Sequence, residues 1–321
     1  MEEQRTDLTV FSEKIQELKN QIGQVIVGQD RVIDLMLTCI LADGHVLIEG
    51  VPGVAKTLLA RLIAKLTDAR FSRVQFTPDL MPSDVLGTTI FNMKTSDFYF
   101  HEGPVFADIV LVDEINRAPA KTQAALFEVM EERQVTIDGT THKMGPLYTI
   151  LATQNPVEQE GTYKLPEAQL DRFLMKIKMD YPSLDEEVSI LERHQRNAQL
   201  AKLNDICHII TSEELLQLRS MMDSVIIDRT LLQYIAQIVL QTRSSRAVYL
   251  GASPRASIAI LQTSKAFALL QGRDFVTPED IKFVTPSVLQ HRLILTAEAE
   301  MEGYTPLKVA QKLIDKVEVP K

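Results

Sequence analysis

The chain has 321 residues, of which 45% are apolar and 24% charged, enough for one large domain or two ordinary ones. These proportions exclude a disordered, collagenous or low-complexity protein. The 34 Lys and Arg residues against 43 Asp and Glu give a net charge of −9, which argues against a surface that grips nucleic acid or anionic membrane as a whole. Two distant cysteines provide neither a disulfide framework nor a Cys-rich metal site.

No targeting or membrane segment is predicted. The acidic start, Met1 to Arg5, lacks an apolar core, so we expect no secretory signal. No apolar run approaches the ~18–20 residues that span a bilayer. We therefore expect a cytoplasmic protein without membrane insertion.

Helices and apolar strands alternate along the first half of the chain. An apolar stripe at helical spacing predicts a first helix, and its members are Phe11, Ile15, Leu18, Ile22 and Val25. A second helix follows Gln29. Strands are predicted, in chain order, over 45–49, 73–76, 109–112, 148–152 and 173–179, with helices over 57–66 and about 119–131. Apolar strands that alternate with helices predict a parallel sheet covered on both faces.

Two hairpins interrupt this alternation, and the character of the chain changes near residue 180. The first hairpin joins 88–91 to 98–101, and the second joins 135–137 to 140–143 through Asp138-Gly139. Beyond Tyr181-Pro182 only helical patterns remain, with helix starts at Ser253-Pro254 and Thr277-Pro278. We therefore predict an α/β domain over 1–180 and a helical domain over 181–321.

A glycine-containing loop lies between the first predicted strand and its helix, and it reads Gly50, Val51, Pro52, Gly53, Val54, Ala55, Lys56, Thr57. Backbone N–H groups of such a loop bind polyphosphate, the lysine reaches its terminal phosphates, and the Thr hydroxyl ligates Mg²⁺. The usual pattern has Gly where Ala55 stands. We expect an ordinary helical φ at Ala55. A Gly-rich turn without a ligand is the alternative.

Polar residues follow two further strands. Asp113 and Glu114 end the 109–112 strand, where ligands of open α/β sheets bind. We predict that Asp113 holds Mg²⁺ and that Glu114 is the general base for water; a solvated strand end is the alternative. Asn155 follows the 148–152 strand and is the candidate for contacting the γ-phosphate, although Asn-Pro also initiates turns.

Several strings in the same order resemble the AAA+ ATPases, and within them the MoxR family. They are 50–57, 113–119, 124–126, 130–135, 152–156, 165–173 and 251–255, and the resemblance covers nearly the whole chain. It implies a P-loop NTPase fold of the α/β class, a parallel sheet sandwiched by helices, followed by a smaller all-helical lid. It also implies ATP and Mg²⁺ as cofactors.

The resemblance implies a role for each matching residue. Lys56 and Thr57 belong to the Walker A loop, Asp113 and Glu114 to Walker B, and Asn155 matches sensor 1. The implied nucleotide contacts are Val27, Gly28, Gly50, Val51, Pro52, Gly53, Val54, Ala55, Lys56, Thr57, Leu58 and Asp113, with Thr57 and Asp113 as the metal ligands.

Two arginines complete the implied site. Arg172 matches the arginine finger that reaches the neighbouring subunit's nucleotide, and Arg255 matches sensor 2 on the lid. Arg172 could instead form an ion pair with Asp171 or Glu167, and Arg255 could be a surface residue. Such a guanidinium contributes roughly 10³–10⁵ in rate in well-studied phosphoryl-transfer systems.

The leading hypothesis is an ATP-hydrolysing, ring-forming protein that remodels or matures protein clients. The resemblance implies a hexamer, a separate partner with a von Willebrand factor A domain, and hairpins that line a pore or face the substrate. The first alternative is a DNA-acting motor or loader, against which the net charge stands. The second alternative is a scaffold that binds ATP without turnover. The presence of Glu114, the predicted general base, argues against it.

Overall fold

The computed structural model describes residues 8–156, 161–195 and 206–320. The helices are α1 Thr9–Val25, α2 Asp30–Leu41, α3 Lys56–Leu66, α4 Pro82–Leu86, α5 Ala120–Glu132, α6 Glu167–Leu170, α7 Leu184–Gln195, α8 Ser212–Ser220, α9 Arg229–Ser244, α10 Pro254–Leu270, α11 Pro278–Leu289, α12 Ala297–Met301 and α13 Pro306–Lys316. The strands are β1 Val46–Gly50, β2 Phe71–Gln75, β3 Gly87–Asn92, β4 Asp97–Glu102, β5 Ile109–Asp113, β6 Gln134–Ile137, β7 Thr140–Lys143, β8 Thr149–Gln154, β9 Met175–Met179, β10 Val248–Leu250 and β11 Ile294–Leu295. Short 3₁₀ turns cover Ile115–Arg117 and Met221–Ser224. None of these helices is long and apolar enough to cross a membrane.

Five parallel strands form the central sheet in the order β2-β5-β8-β1-β9. The three inner strands are apolar on both faces because helices cover both faces. Ile109 and Leu111 pack in one core with α1, α2 and α3, whereas Val110 and Val112 pack with α5 in the other. The predicted doubly covered parallel sheet is therefore confirmed.

The sequence also predicted the details of several elements correctly. The stripe on α1 is buried, with only Phe11 partly exposed. On the edge strand β9, Lys176 and Lys178 are more exposed than the methionines that alternate with them. Both hairpins form, as β3–β4 and β6–β7, and the Thr277–Asp280 capping box starts α11.

Two contacts join the hairpins to each other. Thr89 of β3 donates to the Asp138 carboxylate at the tip of β6–β7 over 2.5 Å. The Phe100 ring of β4 stacks on His142 of β7, with ring centroids 4.1 Å apart. The hairpins therefore form one projecting unit.

The region from α8 to α13 is mainly helical and packs against the first region through α10 on α2 and α11 on β9. It also contains the antiparallel pair β10–β11, which the sequence analysis did not predict because each strand has at most three residues. The boundary near residue 180 stays a prediction.

Candidate nucleotide-binding site

The glycine-containing loop connects β1 to α3 as the sequence predicts. Gly53 has φ +88°, a backbone conformation that favours glycine. No side chain caps the start of α3, so its first N–H groups are donors for a ligand. The Lys56 ammonium donates to the carbonyls of Gly50 at 2.5 Å and Val51 at 3.3 Å, which turns it back over the loop.

The backbone at Ala55 differs from our expectation. Its φ and ψ are +62° and 24°, so this residue is left-handed, and the prediction of an ordinary helical φ was wrong. Ala55 is the residue from which α3 starts, and the chain must turn sharply there to enter the helix. A residue with a Cβ in this conformation costs about 1–2 kcal/mol, which is why glycine is usual at the position.

Asp113 ends β5 as a buried carboxylate, 6% exposed. Both of its oxygens accept hydrogen bonds: Oδ1 from the Thr153 hydroxyl at 3.1 Å, and Oδ2 from Nε of Arg73 at 2.6 Å. Thr153 lies on the neighbouring strand β8, and Arg73 lies on β2. The carboxylate is therefore fixed in position from both sides.

Glu114 follows Asp113 in a left-handed conformation, φ +56°. Its Oε2 accepts a hydrogen bond from Gln75 at 2.8 Å and lies 3.2 Å from the Arg117 guanidinium. Its backbone N–H donates to the Thr153 hydroxyl at 3.0 Å. Positive φ outside glycine is uncommon and concentrates at functional sites. The Glu114 carboxylate is therefore held at the end of the sheet and not among apolar side chains.

The central strands bring the predicted groups to one edge of the sheet. In the order β5-β8-β1, the carboxyl ends are followed by Asp113-Glu114, by Asn155 and by the loop after Gly50. Asn155 is 7% exposed. This is the edge at which α/β sheets bind ligands.

The donor set fits a magnesium ion that phosphate oxygens also ligate. Thr57 and Asp113 provide oxygen atoms, which Mg²⁺ prefers, and it usually takes few ligands from the protein. Among the described residues no group of three or more His, Cys, Asp or Glu side chains could hold a metal by itself. The remaining ligands would be phosphate oxygens and water.

The Arg172 side chain lies away from this edge of the sheet and contacts the last turns of α5. Its NH1 donates to the Phe127 carbonyl, and its NH2 lies 2.7 Å from Oε2 of Glu131. The alternative that the sequence left open, an ion pair with Asp171 or Glu167, named the wrong partners. The structure pairs the arginine with Glu131 because the loop before β9 packs against the last turn of α5.

Arg255 shares this region with Arg172. The two line a cavity of about 280 Å³ together with His45, Arg133, Leu174 and Arg292. His45 precedes β1 and Leu174 precedes β9, so this cavity lies at the amino ends of the parallel strands. The structure thus brings Lys56, Thr57, Asp113, Glu114 and Asn155 to one end of the sheet and the two arginines to the other.

Asp171 connects these arginines to the helical region. It lies 2.7 Å from the buried Arg292 and 3.6 Å from Arg255, which is 73% exposed. The Arg292 guanidinium also donates to the carbonyls of Phe173 at 2.9 Å and Leu174 at 3.1 Å. Arg292 follows α11, so it fixes the segment that carries Arg172 to that helix.

The turn predicted to pack the adenine lies under α7. Gly28 has φ +73°, a backbone conformation that favours glycine, and the Glu186 carboxylate of α7 lies over it. Gln29 donates to the Asp180 carbonyl at 3.4 Å. Adenine contact by Val27 and Gly28 stays a prediction.

Sequence reasoning missed four residues that hold the predicted ones in position, which are Arg73, Gln75, Thr153 and Arg292. Arg73 and Gln75 are polar residues two apart in a strand, and that alternation was a signal that one face of β2 adjoins the site. Thr153 and Arg292 gave no comparable signal, because their partners are distant in the sequence.

The fold and the loop geometry define a P-loop nucleotide-binding protein with a helical lid. Residues 45–175 match the model of the ATPase family associated with various cellular activities (AAA), and residues 240–316 match the AAA lid domain. A solved structure from Cytophaga hutchinsonii, assigned as an ATPase, has a TM-score of 0.89 and 41% sequence identity, covering 98% of this chain and 97% of that one.

Curated relatives are similar over most of their length. Chaperone MoxR1 of Mycobacterium tuberculosis is 43% identical over 94% of this chain and 81% of its own. YeaC of Bacillus subtilis is 46% identical over 93% and 92%, and the MoxR protein of Methylorubrum extorquens is 31% identical over 92% and 91%. The chain belongs to the MoxR family of AAA+ ATPases.

Proposed function

We propose that this protein binds ATP with Mg²⁺ at the end of β1, hydrolyses it, and uses the hydrolysis in a ring to remodel protein clients. The observation that carries the proposal is the meeting of three features at one sheet edge: the loop 50–57, the acid pair 113–114 and Asn155. Family membership supports nucleotide binding.

Each residue at this edge has a physical role in phosphoryl transfer. Lys56 and the first N–H groups of α3 bind the phosphate oxygens. Thr57 and Asp113 would hold a magnesium ion, which would neutralise charge on the phosphates. Glu114 accepts the proton of the attacking water, and Asn155 orients that water or the γ-phosphate.

The remaining two arginines require a second subunit. β1 spans about 16 Å at ~3.3 Å per residue, so side chains at its amino end do not reach phosphates bound beyond its carboxyl end. We infer that Arg172 and Arg255 act on the nucleotide of a neighbouring copy. A contact between two different faces is heterologous, and its repetition gives a ring when the rotation between subunits closes. Six subunits is the expectation from the family.

The hairpin β3–β4 is the candidate contact for clients. Phe98 is 73% exposed and Phe91 46%, their ring centroids are 5.0 Å apart, and Met93 at the tip is 88% exposed. Exposed clustered apolar side chains are typical of protein-contacting surfaces. The chaperone name of the Mycobacterium relative supports a protein client. A separate partner with a von Willebrand factor A domain remains part of the proposal.

The test is nucleotide binding and phosphate release by the purified protein and two variants. Glu114→Gln keeps the shape of the side chain and should bind ATP normally while losing turnover about 10²–10⁴-fold. Lys56→Ala should weaken binding itself. A wild type without turnover but with normal binding would identify the scaffold alternative, and normal ATP binding by Lys56→Ala would contradict the phosphate site.

A further inference from the structure

Arg73 forms the one ion pair made by Asp113 within the described part of the chain. Its Nε lies 2.6 Å from Oδ2, and the Asp113 side chain is 9% exposed while that of Arg73 is 48% exposed. The Thr153 hydroxyl donates to the other oxygen, Oδ1, at 3.1 Å. The expected metal ligand is therefore already paired with a cation of its own chain.

The guanidinium lies on the face of the sheet where the metal is expected. In the parallel register Arg73 pairs with Leu111, and Gln75 pairs with Asp113. Leu111 packs in the core that α3 covers, and side chains two apart in a strand share a face. Arg73 and Asp113 thus lie on the α3 side of the sheet, and Thr57 lies in the first turn of that helix.

An arginine at hydrogen-bond distance cancels much of the charge of a carboxylate. A divalent cation that approaches Asp113 alone therefore meets a fixed positive charge close to its ligand, which weakens the attraction. A cation that arrives with a polyphosphate brings several negative charges, and these outweigh one guanidinium. The ion pair thus favours a metal–nucleotide complex over the free metal.

We propose that Arg73 is the counter-ion that sets the metal affinity of Asp113, so that the site rejects free divalent cations and takes them with nucleotide. This inference rests on the proposed nucleotide site. Arg73 is here a positioning residue, because it acts through Asp113. Its expected signature is a change in cation affinity in the absence of any nucleotide, which is independent of catalysis.

The experiment titrates the full-length protein with Mn²⁺ alone and measures free Mn²⁺ by electron paramagnetic resonance. Arg73→Gln should bind Mn²⁺ about tenfold more tightly than wild type, the scale of a lost hydrogen-bonded charge interaction. Arg73→Lys retains the charge and should stay within about twofold of wild type. Asp113→Asn should abolish the gain in the Arg73→Gln background, which locates the cation.

Arg70→Gln is the matched control. Arg70 pairs with Asp108 at 3.2 Å beside the opposite end of β2, so its loss removes an ion pair of the same strand region without touching Asp113. Its Mn²⁺ affinity should equal that of wild type. Circular dichroism checks that each variant is folded, and if Arg73→Gln unfolds, Arg73→Met replaces it with the same expectation.

Equal or weaker Mn²⁺ binding by the folded neutral variant overturns the inference, since Arg73 would then merely support the carboxylate. Binding of fluorescent ADP to the wild type in the presence of Mg²⁺ separates this failure from failure of the proposed function. A protein that binds ADP but shows no effect of Arg73 loses only this inference. A protein that binds no nucleotide loses the proposed function whatever Mn²⁺ does.

Discussion

Gln75 donates a hydrogen bond through Nε2 to Oε2 of Glu114 over 2.8 Å. The donor lies on β2 and the acceptor directly after β5, two strands paired so that Gln75 lies beside Asp113. β2 continues into α4 and then the hairpin β3–β4. The group that we propose as general base is therefore held by the strand that leads to the proposed client contact.

We expect Gln75→Leu to raise the basal rate of ATP hydrolysis about threefold. The hydrogen bond from Gln75 holds Oε2 of Glu114 toward β2, so its loss leaves that oxygen freer to turn toward the attacking water and accept its proton. Steady-state phosphate release at saturating ATP measures the effect. A fall in rate would mean that Gln75 instead holds Glu114 in its productive position.

The left-handed backbone at Ala55 predicts that Ala55→Gly stabilises the protein. Removal of the Cβ relieves about 1–2 kcal/mol of strain, less the greater freedom of glycine in the unfolded chain, which leaves a gain of roughly 0.5–1 kcal/mol. Urea unfolding of the free protein measures it.

Ala124→Gly is the control for this measurement, because Ala124 is an exposed residue inside α5. There glycine should destabilise the protein by about 1 kcal/mol. Equal losses at both positions would mean that Ala55 carries no strain.

The sheet, and the edge at which the loop 50–57, Asp113 and Asn155 meet, could be predicted from the sequence because both depend on local patterns. An apolar strand that ends in polar residues, as β5 does at Asp113, indicates a ligand site from adjacent residues alone. No contact between distant parts of the chain has to be known. The partner of Arg172 could not be predicted in this way, because Glu131 is brought to it by the packing of two elements. The left-handed φ of Ala55 was missed for another reason: residue identity favours the common conformation, and only the path of the loop requires the rare one.

Because of the buried His45, we expect the free energy of unfolding to fall at acidic pH. The His45 side chain is buried directly before β1, with one ring nitrogen 3.1 Å from the Met130 carbonyl and the other accepting from the Ile150 N–H at 2.9 Å. Burial lowers its pKa from 6.5 to about 4. Between these values the unfolded chain binds more protons, so stability is complete above pH 6.5 and falls as the pH drops toward 4, by up to about 3 kcal/mol.

Urea unfolding between pH 4.5 and 7.5, read as free energy of unfolding, measures this dependence. His291, whose pKa burial also lowers, contributes in the same direction. His45→Gln should therefore be less stable at neutral pH and show a shallower slope, while the exposed His208→Gln keeps the wild-type slope. An unchanged slope in His45→Gln would contradict a neutral buried imidazole.

Because Phe91 and Phe98 are exposed on β3–β4, we expect their removal to abolish the response to clients and to leave catalysis intact. Phe91→Ala combined with Phe98→Ala should leave basal hydrolysis near wild type and abolish its stimulation by an unfolded polypeptide such as casein. Met301→Ala removes an apolar side chain that is more exposed than either phenylalanine, at 88%, but lies on α12, and this variant should keep the stimulation. If casein still stimulates hydrolysis by the double variant, the hairpin is not the client contact. If duplex DNA stimulates hydrolysis by the wild type at low salt, the motor alternative is favoured.

The most direct test of the account is to mix two inactive variants, Arg172→Ala and Glu114→Gln. The first retains the complete edge at β1, β5 and β8, and the second retains the arginines. If each site takes its arginines from a neighbouring copy, random equal mixing restores complete sites at about a quarter of the interfaces, and ATP hydrolysis returns to about that fraction of wild type. A mixture as inactive as its two components would contradict the shared site.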